Sequence, residues 1–210
     1  PTRVVAELRE RVMAGYAAHF DARFHNYATV SQPANYEAYR AFVAGNAFQG
    51  SDPVSVYPKA EAHLRRAIAA DSGFMAPRIR FLMLSLFMGQ FTSRGESAYA
   101  WLRGSGRRLL PADDAALRLY HAIGVGDRRA WYDAAVELYR LAPDVPGNGG
   151  ARVMATGAVG RPREVISFLL DTLGAREVNR RGYWNYLVVA HHELGQYQKA
   201  TEAYERIPRF

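Results

Sequence analysis

The stretch that decides the fold is YWNYLVVAHHELGQYQKATEAYERIP, residues 183–208. Its first half spaces Trp184, Leu187 and further large residues at three- and four-residue intervals, as one face of an α-helix does. Its second half places Ala200 four residues before Tyr204. A small residue on the second of two antiparallel helices lets the first approach closely, and a large one fills the gap to the next pair. We therefore expect a helix pair with Ala200 at the close approach and Tyr204 as the filler.

The same small-x3-large element recurs along the chain. Its copies begin at intervals of 38, 37, 30 and 35 residues, and they are Ala60/Leu64, Ala98/Leu102, Ala135/Tyr139, Val165/Leu169 and Ala200/Tyr204. A repeat of 20 to 50 residues is typical of stacked helical or propeller architectures. Because apolar spacing of three and four dominates and no convincing alternation of period two occurs, the pattern predicts an all-α protein.

The quoted stretch resembles the tetratricopeptide repeat, whose pattern is W-x2-L-G-x2-Y followed by A-x3-F. Val188 stands where that pattern has glycine, and His191 where it has tyrosine. The chain resembles this family over about Tyr36 to Pro208, as roughly five degenerate helix pairs. The resemblance implies a right-handed α-solenoid with a concave groove and an extra N-terminal helix.

A finer resemblance concerns AEAHLRRAIAADSGFMAP, residues 60–77. It looks like the repeats found downstream of the effector domain in bacterial signalling proteins such as serine/threonine kinases and transcriptional regulators, although that form has Asp-Pro where this chain has Asp71-Ser72. The chain begins at Pro1 without an initiator methionine or the apolar core of a signal peptide. We interpret it as the regulatory or sensory part of a longer protein.

The expected domain organisation has two parts. Residues 1–35 hold an amphipathic run, about Arg3 to Phe20, that fits no repeat and either caps the first helix pair or connects it to an upstream domain. Residues 36–210 form the repeat domain. The glycine-rich Pro146–Gly150 is expected to connect two repeats, since it lacks the strand and lysine-serine pair of a phosphate loop.

Composition excludes several functional classes and leaves the compartment open. The 210 residues contain no cysteine, which rules out disulfides, thiolate metal sites and cysteine nucleophiles. The net charge of +7 is spread thinly, with 12 basic and 8 acidic residues before position 106 and 15 and 12 after it. Nucleic-acid binding is therefore disfavoured. The most apolar window, Phe81 to Gly89, is too short to span a membrane.

No residue pattern indicates catalysis, a metal site or a cofactor. Adjacent His191 and His192 diverge by about 100° on a helix and cannot share a metal as an i, i+4 pair does. We expect His191 in the core, at the repeat's tyrosine position. Asp113 and Asp114 precede a helical run and are expected to cap it and favour its dipole. The chain is therefore not expected to be an enzyme.

The concave groove implied by the resemblance is the expected binding site for a protein or peptide. Two alternatives stay open, an all-α enzyme and a sensor that binds a small molecule in the groove or among a methionine and phenylalanine cluster. The cluster comprises Phe74, Met75, Phe81, Met83, Phe87, Met88 and Phe91. The expected groove residues are Phe42, Asn46, Gln49, Asn185, Val189 and His192.

Overall fold

The computed structural model describes residues 2–21, 31–46, 53–89, 91–106, 109–174, 178 and 183–207. Within these ranges every regular element is helical and there is no β-strand, as the apolar spacing predicts. None of the described helices combines the length and the hydropathy that a bilayer crossing requires. The chain divides into two compact units, Pro1–Pro146 and Gly147–Phe210.

The first unit contains seven α-helices among the described residues. They are α1 (Thr2–Phe20), α2 (Tyr36–Asn46), α3 (Pro53–Ala70), α4 (Ala76–Phe87), α5 (Glu96–Gly104), α6 (Pro111–Val125) and α7 (Arg128–Leu141). A π-helical segment, Phe91–Gly95, leads into α5. The second unit contains α8 (Pro146–Ala158), α9 (Pro162–Ser167), α10 (Trp184–Glu193) and α11 (Tyr197–Glu205), and a second π-helical segment, Phe168–Leu173, continues α9.

Consecutive helices form the closest packed pairs: α2 with α3, α6 with α7, and α10 with α11. At the first crossing, a Cβ on Gly45 would lie 3.2 Å from the Leu64 side chain and 3.3 Å from the Ala60 carbonyl oxygen. A side chain at this position would therefore require the Leu64 side chain or the Ala60 backbone to move by a few tenths of an ångström. Ala60 and Leu64, the small and large residues of the first expected copy, are both buried there.

Helix α1 belongs to the first compact unit rather than to a separate domain. It packs on α2 through small residues, of which Ala14 and Ala18 are fully buried. The Tyr36 amide donates to the Glu10 carboxylate at 3.2 Å, which ties the start of α2 to α1. The large apolar residues of α1 point away from this contact and are exposed, among them Val5, Leu8, Val12, Tyr16 and Phe20.

A left-handed glycine turn recurs at the ends of four helices. Gly89, Gly126, Gly160 and Gly195 have φ between 64° and 76° and follow one another at intervals of 37, 34 and 35 residues. At the last three of these glycines, the glycine N–H donates to the carbonyl oxygen three residues before it. The N–H of the following residue donates to the carbonyl oxygen five residues before itself, and all these bonds measure 2.9–3.2 Å. This pattern is the Schellman motif, which satisfies carbonyls at a helix end. Two further described glycines, Gly106 and Gly174, have φ of 65° and 78° and lie outside this spacing. Four of the six described positive-φ glycines thus recur at nearly constant spacing.

These turns correct the expected register of the repeat. Val165 and Ala200 lie five residues after their glycine turns, whereas Ala98 and Ala135 lie nine residues after theirs. Positions four residues apart share one helix face, so the spacing pattern alone cannot distinguish them. The small-x3-large elements of the second and third copies therefore lie one helical turn further from their glycine turns than the element of the last copy does.

The expected loop at Pro146–Gly150 is instead the first turn of α8. Pro146 begins the helix, where proline's fixed φ and missing N–H are tolerated. Asn148 is fully buried in this turn, and a Cβ on Gly150 would lie 2.8 Å from the Tyr183 hydroxyl oxygen. Gly150 therefore lies in a close contact at a helix start, whereas a Cβ on Gly147 would meet nothing within 4 Å.

Candidate binding surfaces

The structure places two expected groove residues in the core. Phe42 and Asn46 on α2 are 1% and 2% exposed, and the Phe42 ring packs edge to face on Phe74 with centroids 5.2 Å apart. The prediction that they line an open groove is corrected, because this face of α2 is covered within the first unit. Gln49 lies outside the described residues.

The other three expected groove residues form an exposed stripe on α10. Asn185, Val189 and His192 are spaced by four and three residues, so they lie on one helix face. Val189 is 55% exposed, and the His192 ring packs edge to face on Tyr197 of α11 with centroids 5.3 Å apart. We call this set the α10 stripe. It offers an amide, an apolar contact and an imidazole side by side.

His191, next to the stripe, is buried as its place in the pattern predicts. It is 7% exposed, and its Nδ1–H donates to Oε1 of Gln196 at 2.8 Å. The Gln196 N–H in turn donates to the His191 carbonyl at 2.9 Å. Both bonds join the end of α10 to the following glycine turn, so His191 stabilises the helix pair and is not presented to a ligand.

Asp113 and Asp114 lie in the first turn of α6, although the N-cap residue itself is Leu110. Asp114 accepts from Arg103 at 2.7 Å and from Arg118 at 2.9 Å. Both carboxylates therefore favour the helix dipole, as expected for acidic residues in a first turn, while Asp114 also pairs with neighbouring arginines.

Most members of the methionine and phenylalanine cluster pack inside the first unit. Phe74, Met75 and Phe91 are buried, whereas Phe87 is 64% exposed. Phe81 is half-buried and lines a pocket. The cluster thus lies mainly in or against the core, and its edge at Phe81 contributes to this pocket.

That pocket lies in the first unit and has a volume of about 500 Å³. It lies between α3, α4, the first π-helical segment and α5. We call it the arginine–tryptophan pocket. Its lining residues are Arg65, Ile68, Ala69, Arg78, Phe81, Arg94, Ser97, Ala98 and Trp101.

Aromatic rings and one carboxylate hold the three arginines of this pocket. The Arg78 guanidinium lies 3.7 Å from the centroid of the Trp101 ring, and that of Arg65 lies 5.4 Å from the Phe81 centroid, both in cation–π contact. Glu61, largely buried, accepts from Arg65 at 2.9 Å and from Arg94 at 2.8 Å. The arginines are thereby fixed around an apolar floor.

Sequence reasoning missed this pocket because its charges come from separate elements. In the sequence, Arg65 stands beside Arg66 and indicates a solvated pair of charges, and Arg78 indicates a residue near a helix start. The available signal was the spacing of Arg78 and Phe81, and of Ala98 and Trp101, each three residues apart on one face. Arg94 lies in a π-helical segment, which the regular helical spacing does not predict.

The described residues contain no group of three or more histidine and acidic side chains that could hold a metal. Burial raises the pKa of Tyr120, against a smaller opposing effect of Arg80, and burial also raises the pKa of Tyr186 with a further contribution from Tyr183. Both phenols are therefore neutral at neutral pH.

Comparison with known proteins identifies no relative from which a function could be inferred. No family model matches the chain, and no curated protein or solved structure matches it significantly.

Proposed function

We propose that the chain is a non-catalytic helical-repeat interaction module, a solenoid of about five tetratricopeptide-like helix pairs that binds a peptide segment of a partner protein. The observation that carries this proposal is the recurrent glycine turn at intervals of 37, 34 and 35 residues. A turn repeated at this spacing is what a chain built from one helix-pair unit requires. The packed pairs α2/α3, α6/α7 and α10/α11 support the same interpretation.

The role in a larger protein follows from the resemblance of residues 60–77 to repeats of bacterial signalling proteins. Modules of this kind bind through exposed faces of stacked helices, since stacking creates extended surfaces. We propose that this module is the regulatory or sensory part of such a protein.

The α10 stripe is the proposed peptide contact. An asparagine side chain can accept from and donate to a peptide backbone, so Asn185 can hold an extended segment by its amide groups. Val189 supplies an apolar contact one turn away, and His192 adds a donor or acceptor at the next turn. The stripe therefore combines backbone recognition with a side-chain contact.

Selection of a random displayed-peptide library against the purified chain, followed by fluorescence polarisation with an enriched peptide, tests the proposal. We expect the combined variant Asn185→Ala, Val189→Asp, His192→Ala to bind about tenfold more weakly or worse, a loss of at least about 1.4 kcal/mol. The matched control is Gln198→Ala with Glu202→Ala, an exposed, hydrogen-bonded pair on neighbouring α11.

The control variant should bind as the unmodified chain does, and circular dichroism should show equal helix content in all three proteins. Failure to enrich any peptide would count against the interaction function. Equal affinity of the stripe variant and the control would remove the α10 stripe from it.

A further inference from the structure

We infer that the arginine–tryptophan pocket is a second recognition site, which binds a carboxylate carried on an aromatic or other apolar group. The site lies wholly within the first unit and does not depend on peptide binding at the α10 stripe. Its ligand chemistry follows from the charge, the arrangement and the apolar surface of the lining residues.

Charge is the first argument. The lining contributes Arg65, Arg78 and Arg94, and the one carboxylate bonded to two of them is Glu61. Three guanidinium groups therefore line one cavity. Guanidinium groups present a planar fork of donors that matches a carboxylate with two parallel hydrogen bonds. An anionic ligand group is therefore favoured.

Arrangement is the second argument. Glu61 shows within the site itself that Arg65 and Arg94 reach a shared carboxylate at 2.8–2.9 Å. The Trp101 ring lies 3.7 Å from the Arg78 guanidinium and restricts the orientation of that group. Side chains that are already held lose less conformational freedom on binding, which raises affinity.

The third argument is the apolar surface of the pocket, which indicates that the group carrying the carboxylate is apolar. Trp101 is 43% exposed, and Phe81, Ile68 and Ala98 line the same cavity. A volume of about 500 Å³ exceeds what a bare carboxylate needs and lies in the usual range for organic ligands. An aromatic or branched side chain can occupy the floor while its carboxylate reaches the arginines.

A carboxylate fits this pocket better than a phosphate does. Most lining residues are apolar, and the cost of removing a dianion from water into such surroundings exceeds the cost for a monoanion. The carboxylate can come from a free organic acid or from the C-terminal residue of a peptide. Both sources share the same chemistry at the pocket.

NMR titration of the whole chain tests the inference with N-acetylphenylalanine and its neutral amide. The Trp101 indole N–H signal reports on the pocket, while Trp131 and Trp184 serve as internal controls. We expect the acid to bind about tenfold or more tightly than the amide and to shift mainly Trp101, since the two probes share their apolar part and only the acid carries a carboxylate. Phenyl phosphate should bind more weakly than the acid.

Arg65→Met is the decisive variant, and Arg66→Met is its matched control. Both residues are exposed arginines of α3 with an ion pair, to Glu61 and to Glu37 respectively, but only Arg65 lines the pocket. Arg65→Met should reduce the preference for the acid severalfold, and Arg66→Met should leave it unchanged. Arg78→Met should act like Arg65→Met, with helix content checked because Arg78 also packs on Trp101.

Three results would overturn the inference: equal affinity for acid and amide, no saturable binding of the acid, or tighter binding of phenyl phosphate. An equal effect of Arg65→Met and Arg66→Met would also overturn it. A peptide ending in phenylalanine distinguishes the two sources. Tighter binding of that peptide than of N-acetylphenylalanine identifies a chain terminus as the ligand, and equal binding identifies a free acid.

Discussion

Phe91 illustrates how single residues set the packing of the first unit. It is buried at the start of the first π-helical segment, and its ring lies against Gly95 and against Gly124 of α6. A Cβ on either glycine would overlap the ring. Neither glycine has a positive φ, so both are required for close approach and not for backbone conformation.

Gly124→Ala should therefore destabilise the first unit, because the Phe91 ring would have to move within a packed core. We expect a loss of about 1 to 3 kcal/mol in the free energy of unfolding, measured by urea denaturation. Gly15→Ala on α1 is the control, since a Cβ there meets nothing within 4 Å. That substitution should be neutral or stabilising by up to about 1 kcal/mol. An equal effect of both substitutions would show that Phe91 does not occupy this position.

Individual burial was predictable where helical spacing alone decides it. Ala200, His191 and Trp184 are buried, as their intervals predict. Tyr204 occupies the filler position but is 61% exposed, and no described element packs over it. Spacing identifies the face on which a residue lies. Whether that face is covered depends on the neighbouring helices, which the spacing does not specify.

Glycine turns are the feature that defines the helix pairs at the level of elements. Gly126, Gly160 and Gly195 each end a first helix in the left-handed conformation and are followed within two residues by the next helix. The conformation costs about 1 to 2 kcal/mol for residues with a Cβ. These three glycines are therefore conformational requirements, in contrast to Gly124.

Replacing any of the three by alanine should lower the free energy of unfolding by about 1 kcal/mol or more. Asparagine at the same position should cost less, because its side chain tolerates the left-handed region. Gly157→Ala within α8 is the control, since a Cβ there meets open space and φ is not positive. Thermal denaturation followed by circular dichroism measures the melting temperature of each variant and so ranks their stabilities. If Gly157→Ala proved less stable than Gly160→Ala, the left-handed turn assigned to Gly160 would be contradicted.

Elements whose geometry departs from the regular helix were the least predictable. Pro146–Gly150 has the composition of a loop but forms a helix start, because glycine there permits close packing beside Tyr183. The π-helical segments leave no recognisable spacing, and one of them carries Arg94 into the pocket. Helix identity was thus accessible from the sequence, while the pocket required the spatial arrangement of four elements.

The whole chain consists of two compact units, Pro1–Pro146 and Gly147–Phe210, each with its own buried residues. The core of the second unit includes Leu187 of α10, and that of the first includes Leu138 of α7, both 1% exposed. If the chain is the helical-repeat module proposed for it, its stability is approximately a sum of local terms, because each repeat of such a protein contacts mainly its neighbours. The effect of a core substitution should therefore concentrate in the unit that contains it.

Leu187→Ala and Leu138→Ala form a matched pair that tests this locality by hydrogen exchange. Each substitution should lower the free energy of unfolding of its own unit by about 2 to 5 kcal/mol, since each leaves a cavity in a packed helix pair. We expect Leu187→Ala to accelerate amide exchange mainly in residues 147–207, and Leu138→Ala mainly in residues 1–146, at equal denaturant concentration. Uniform acceleration along the whole chain in both variants would instead show a single cooperative unit, and the additive behaviour expected of a repeat protein would then not apply to this chain.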